Sequence, residues 1–61
     1  MEYDYDDFMV GDFVYAGFHW FGQIVFIDPI NDIVSVEYVD DFGGFDVMDF
    51  SIVEIIPADD W

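Results

Sequence analysis

The chain has no lysine and no arginine to set against fifteen aspartates and glutamates, so its 61 residues carry a formal net charge of −15. That absence excludes direct binding to nucleic acid, because phosphate contacts need cations that release condensed counterions. Cysteine is also absent. This removes disulfide staples, thiolate nucleophiles and zinc–thiolate sites, and it fits a reducing compartment. With no Lys or Thr, and with Ser35 and Ser51 outside any catalytic motif, enzymatic activity is not expected. A chain this small offers little cavity in which a carboxylate pair could be desolvated. His19 is the only histidine, with no second at ligand spacing, and the carboxylates of residues 28–32 and 40–41 lack the spaced pattern and closing Glu of a calcium loop. No metal and no cofactor are therefore expected. The N-terminal stretch MEYDYDDF is acidic where a secretory signal needs a positive region. The longest apolar runs, such as Ile24 to Ile27, are too short to span a bilayer. These features lead us to expect a chain that avoids membranes and resides in the cytoplasm, the host cytoplasm if its source is viral.

What is present points the other way from disorder. Hydrophobic residues make up 56% and aromatics 23% of the chain, enough to drive collapse in spite of the charge. The length allows one domain near the lower limit for folding without a staple. Adaptation to a very salty cytoplasm would also give an acidic surface, but it leaves some arginine and seldom accompanies so many aromatics.

Turn signals divide the chain into short strands. Residues 1–9, with Glu2, Asp4, Asp6 and Asp7 alternating with Tyr3, Tyr5 and Phe8, are expected to form a partly ordered acidic arm. Gly11-Asp12 is a turn, and Phe13 to Ala16 a strand with Val14 inward. Gly17 to Phe21 reads as a loop, and Gly22 opens the strand Gln23 to Asp28, which Pro29 breaks. Asn31-Asp32 supplies a tight turn before Ile33 to Val39, where Val34, Val36 and Tyr38 form the core face. Residues 40–44 form a second hairpin loop before a strand from Phe45 to about Asp49. Residues 49–52 read as a 3₁₀ turn, residues 53–56 as the last strand, and residues 58–61 as an acidic tail. Five short strands without helical periodicity predict an all-β closed barrel.

The segments Val10-Gly11-Asp12-Phe13-Val14, Gly22 to Asp28, Ile33 to Tyr38 and Asp49 to Pro57 resemble the SH3-like small barrels of the KOW and Tudor type. The resemblance implies a five-stranded SH3-like small barrel over residues 10–57 with one 3₁₀ turn before the last strand. KOW-type modules commonly meet nucleic acid through basic residues, and this chain has none.

The carboxylates are the strongest functional signal. A compact chain of this length has a radius of gyration of roughly 10–11 Å and a diameter of about 27 Å. Duplex DNA carries about 16 phosphates over that length, so the charge densities match. In size and charge the chain is similar to the small acidic proteins, known mostly from phages and mobile elements, that block nucleic-acid-binding enzymes by mimicking DNA. The expected partner is a basic nucleic-acid-binding protein of host defence or DNA processing. The expected acidic contacts are Asp12, Asp28, Asp32, Glu37, Asp40, Asp41, Asp46 and Asp49.

Eight Phe, four Tyr and two Trp, fourteen aromatics in all, exceed what a small barrel can enclose. Phe13, Tyr15, Phe18, Trp20 and Phe21 are expected to supply an apolar anchor for a partner or for a second copy of the chain in a homodimer. An alternative function is a Tudor-like interaction module for basic or methylated peptide tails. Its cage would be built from Phe18, Trp20, Tyr38 and Phe42 beside Asp40 and Asp41, holding the cation by attraction to the ring faces. The plainer alternative is that loop aromatics fold back over the open ends of the barrel.

Overall fold

A computed structural model describes residues 3–17 and 20–60. The strands β1 (Phe13–Ala16), β2 (Trp20–Asp28), β3 (Ile33–Val39), β4 (Phe45–Phe50) and β5 (Ile55–Pro57) form one antiparallel sheet in the order β4-β3-β2-β1-β5. This is the expected all-β, five-stranded domain with a 3₁₀ turn, Ile52–Glu54, before the last strand, and it is compatible with an SH3-like fold. Among the described residues no ladder joins β4 to β5, so the sheet curls over its core without closing by hydrogen bonds. The reason is local. The chain leaves β4 at Phe50 through the 3₁₀ turn, and all three residues of β5 are paired with β1.

Among the described residues seven apolar side chains form the core: Phe8, Val14, Ala16, Ile24, Val34, Val36 and Ile55. Val14, Val34 and Val36 are the inward residues that strand alternation predicts. Tyr38, expected beside them, is half-buried. A β-bulge at Val25 interrupts the β2–β3 register between Ile24 and Phe26. One extra residue reverses the alternation, so Ile24 and then Ile27 face the core while Val25 and Phe26 are exposed.

Two boundaries differ from the sequence reading. Trp20 and Phe21 belong to β2, because Ala16 pairs with Trp20 and Tyr15 with Phe21. The 3₁₀ turn begins at Ile52 and β5 at Ile55. Ser51 donates its backbone N–H to Glu54 Oε2 at 3.1 Å, and the Glu54 N–H bonds Ser51 O at 3.0 Å. These bonds hold the turn where it is. At the N-terminus a 3₁₀ turn (Tyr5–Asp7) lays Phe8 into the core and packs Tyr3 and Tyr5 against it. Asp4 accepts from the Tyr5 N–H and Asp7 from the Asp4 N–H, both at 2.8 Å. An acidic segment is thus anchored by its aromatics. At the other end residues 58–60 form a further 3₁₀ turn that contacts β1.

Gly22, the third residue of β2, lies buried between Val14 of β1 and the backbone of β3. A Cβ there would stand 2.4 Å from the Glu37 carbonyl oxygen and 2.6 Å from Val36 Cγ1. β2 approaches β3 this closely because no side chain is present.

Candidate functional site

Most of the acidic residues singled out in the sequence accept hydrogen bonds, four of them at turns and Asp46 and Asp49 within β4. Asp12 accepts from the Met9 N–H at 3.0 Å. Asp28 accepts from the N–H groups of Ile30 (3.1 Å) and Asn31 (3.3 Å) and from Asn31 Nδ2 (2.7 Å). Asp40 takes the N–H groups of Phe42 and Gly44, both at 2.9 Å, and Asp46 takes that of Val47 at 2.9 Å. Asp49 accepts from the Ser35 hydroxyl at 2.6 Å. The bonds of Asp28 to Ile30 and of Asp40 to Phe42, each to the N–H two residues on, define Asx turns. Each bond uses only part of a carboxylate's accepting capacity, so the charge still faces solvent. The carboxylates of Glu37 and Asp41 accept no hydrogen bond among the described residues.

Asp32 is the most heavily used. Its φ of 55° places it in the left-handed region that Asp tolerates. Oδ1 accepts from the Tyr5 hydroxyl and from the Ile52 N–H at 3.0 Å, and Oδ2 accepts from the Ser51 hydroxyl at 2.5 Å. One carboxylate therefore ties the N-terminal turn, the β2–β3 hairpin and the 3₁₀ turn before β5. The Ser51 and Tyr5 bonds, with the Ile52 N–H, hold the Asp32 carboxyl below the usual carboxylate range. The bond to Asp32 pushes the Tyr5 phenol from 10 up to about 12. The Asn31 side-chain bond likewise lowers Asp28. A depressed carboxyl stabilises the fold above its unfolded pKa near 3.8, and that contribution is lost as pH falls through the lower folded value. The raised phenol has the opposite sense, stabilising below pH 10 and losing its contribution as pH rises through about 12. In Asp32→Asn, Tyr5 is expected to titrate close to 10, as read from its ring Cζ shift against pH. A Tyr5 that still titrates near 12 in that variant would show that Asp32 is not the cause.

The acids occupy separate places. Asp28 and Asp32 belong to the β2–β3 turn, and Asp40 and Asp41 to the β3–β4 turn. The two groups are separated by the length of β3, roughly 20 Å for seven residues. Glu37 and Asp49 lie between them on the outer face of the sheet, away from the core residues Val34 and Val36. With no lysine or arginine in the chain, none of these charges is neutralised by one.

The outer face carries aromatics. Phe13 stacks on Phe21 with centroids 5.8 Å apart and planes at 6°, and Tyr15 tilts against Phe21 at 5.2 Å. Phe13 and Phe21 remain half exposed, while Tyr15 is half-buried. The ladders carry the row onward: Phe13 pairs with Gln23, Gln23 with Glu37, Glu37 with Val47 and Val39 with Phe45. Val39 and Phe45 are 61% and 72% exposed. A shallow depression of about 140 Å³ lies among Phe13, Phe21, Gln23, Glu37, Val39 and Phe45. Sequence reasoning found Phe13 and Phe21 but missed Val39 and Phe45. Alternation from the inward Val36 would have placed Val39 outside, and β4 has the same period.

The expected cage is only partly assembled. Trp20 and Tyr38 pack at 4.8 Å with planes at 54°. Phe42 is 97% exposed at the tip of its hairpin, and Asp40 is engaged in closing that loop. Phe18, expected in both the cage and the anchor, lies outside the described residues, as does His19. Among the described residues no three acidic or histidine side chains are grouped so as to hold a metal ion, and no helix is long and apolar enough to cross a membrane. Compared with family models, curated proteins and solved structures, the chain matches none.

Proposed function

We propose that this chain is a DNA-mimic inhibitor that occupies the basic nucleic-acid-binding site of a host defence or DNA-processing protein. The supporting observation is the density of uncompensated charge on a folded, elongated body. Its longest dimension is 32 Å, over which duplex DNA carries about 19 phosphates. The chain offers fifteen carboxylates and no lysine or arginine. Their turn hydrogen bonds fix several of them in place, which lowers the entropy lost when a cationic groove closes on them. Phe13 and Phe21 then act as an apolar anchor beside the charge.

Immobilised protein, incubated with nuclease-treated lysate from its native source and eluted with rising salt, is expected to release basic nucleic-acid-binding proteins early in the gradient. Replacing Asp41 and Asp46 by Asn together should move that elution to lower salt. Partners that stay bound through high salt and are lost on Trp20→Ala would contradict the proposal. They would favour the second reading, a Tudor-like module, which the Trp20–Tyr38 pair supports.

A further inference from the structure

We propose that the outer face of the sheet around Glu37 is the docking site for an arginine-bearing apolar segment of the partner protein. This deepens the preceding proposal and rests on its reading of a cationic partner. Three observations on the same face carry it. The first is apolar area left in solvent on four adjacent strands: Phe13 on β1, Phe21 on β2, Val39 on β3 and Phe45 on β4. Exposed apolar patches of this kind mark interaction surfaces. The second is the depression of about 140 Å³ that these side chains enclose. The third is Glu37, half-buried at the centre of the patch, whose carboxylate accepts no hydrogen bond among the described residues.

Charge complementarity selects the occupant. A second copy laid face to face would bring two Glu37 carboxylates into one apolar interface, added to the repulsion between chains of −15 each. An arginine resolves both features at once. Its planar guanidinium lies against an aromatic face and takes a carboxylate in a bidentate pair. The stacked rings of Phe13 and Phe21 offer such a face, and Glu37 lies on the strand next to Phe21. Apolar residues flanking the arginine would cover Val39 and Phe45. Gln23, across the ladder from Glu37, donates Nε2 to the Gly11 carbonyl at 3.0 Å, and its side chain makes no hydrogen bond to that of Glu37.

The probe is the peptide acetyl-Val-Gly-Val-Gly-Arg-Gly-Val-amide, whose alternate residues share one face when extended. A second peptide carries citrulline, neutral and of the same shape, in place of arginine. A third has glycine in place of every valine. Amide shifts of the ¹⁵N-labelled protein are followed at 0.15 M salt. The arginine peptide is expected to perturb residues 13, 21, 23, 37, 39 and 45. Glu37→Gln should weaken it by about two- to fivefold, as for one exposed ion pair, and Asp41→Asn by less than about 1.5-fold. Phe21→Leu should remove the preference for arginine over citrulline. Glu37→Gln keeps shape and exposure, so its result stands even if the Phe21 variant fails to fold.

Perturbations concentrated in residues 28–32 and 40–41, or equal binding of the glycine peptide, would overturn the proposal. So would a dimer in sedimentation whose dissociation shifts the same amides without peptide. A positive peptide result with no displacement of duplex DNA from any captured partner would leave this docking site in place and remove the mimicry.

Discussion

Gly22→Ala is expected to lower the melting temperature by about 10 °C or more. The added methyl carbon would stand 2.4 Å from the backbone oxygen of Glu37 and 2.6 Å from Val36 Cγ1, far inside ordinary van der Waals contact. A flexible side chain can move aside, but the closest atom here is backbone, fixed in the β2–β3 ladder. That ladder lies in the middle of the sheet, so spreading it also disturbs Val14, Ile24 and Val36, all fully buried. Overpacking of this kind costs about 1–3 kcal/mol. A domain of this length has in total about 3–9 kcal/mol. Thermal unfolding followed by circular dichroism measures the effect. As a control, Val25→Ala at the exposed bulge position should cost less. A Gly22→Ala melting temperature within about 3 °C of the parent would mean that the strands do not approach so closely.

The second large effect concerns salt. Raising ionic strength from 0.01 M to 0.5 M is expected to raise the melting temperature by on the order of 10 °C. Fifteen carboxylates share a body with a Cα radius of gyration of 10.8 Å, so most pairs lie within the Debye length of about 30 Å at 0.01 M salt. At 0.5 M that length falls below about 8 Å, and the repulsion that opposes compaction is largely screened. The unfolded chain spreads the same charges further apart, so screening favours the folded state. The carboxylates held by N–H and O–H donors in turns respond less, because those bonds are short-ranged. A melting temperature unchanged across the salt series would contradict the dense-charge picture.

The pattern of strands could be read from the sequence because turn residues and alternation act locally. Gly11-Asp12, Asn31-Asp32 and residues 40–44 all fall between strands, and Val14, Val34 and Val36 face the core as alternation requires. What could not be read depends on contacts between distant residues. The anchoring of residues 3–8 needs Phe8 in a core closed by Ile55 and needs Tyr5 to meet Asp32, 27 positions away. The bulge at Val25 is set by pairing with β3, and no local signal in Ile24 to Ile27 marks it. The candidate site divides in the same way. Its acids were visible as composition, but their split between turn bonds and open charge depends on backbone geometry. The apolar patch required the β3–β4 register, which brings Phe45 beside Val39.

The most direct test of the central claim is competition. A basic nucleic-acid-binding protein captured by this chain is loaded with a fluorescent DNA duplex, and the chain is titrated in at low and at high salt. The proposal predicts complete displacement of the duplex at low salt, and a direct affinity of the chain for the same protein that falls as salt is added. A ternary complex in which duplex and chain are bound together, or a direct affinity of the chain indifferent to salt, would contradict it.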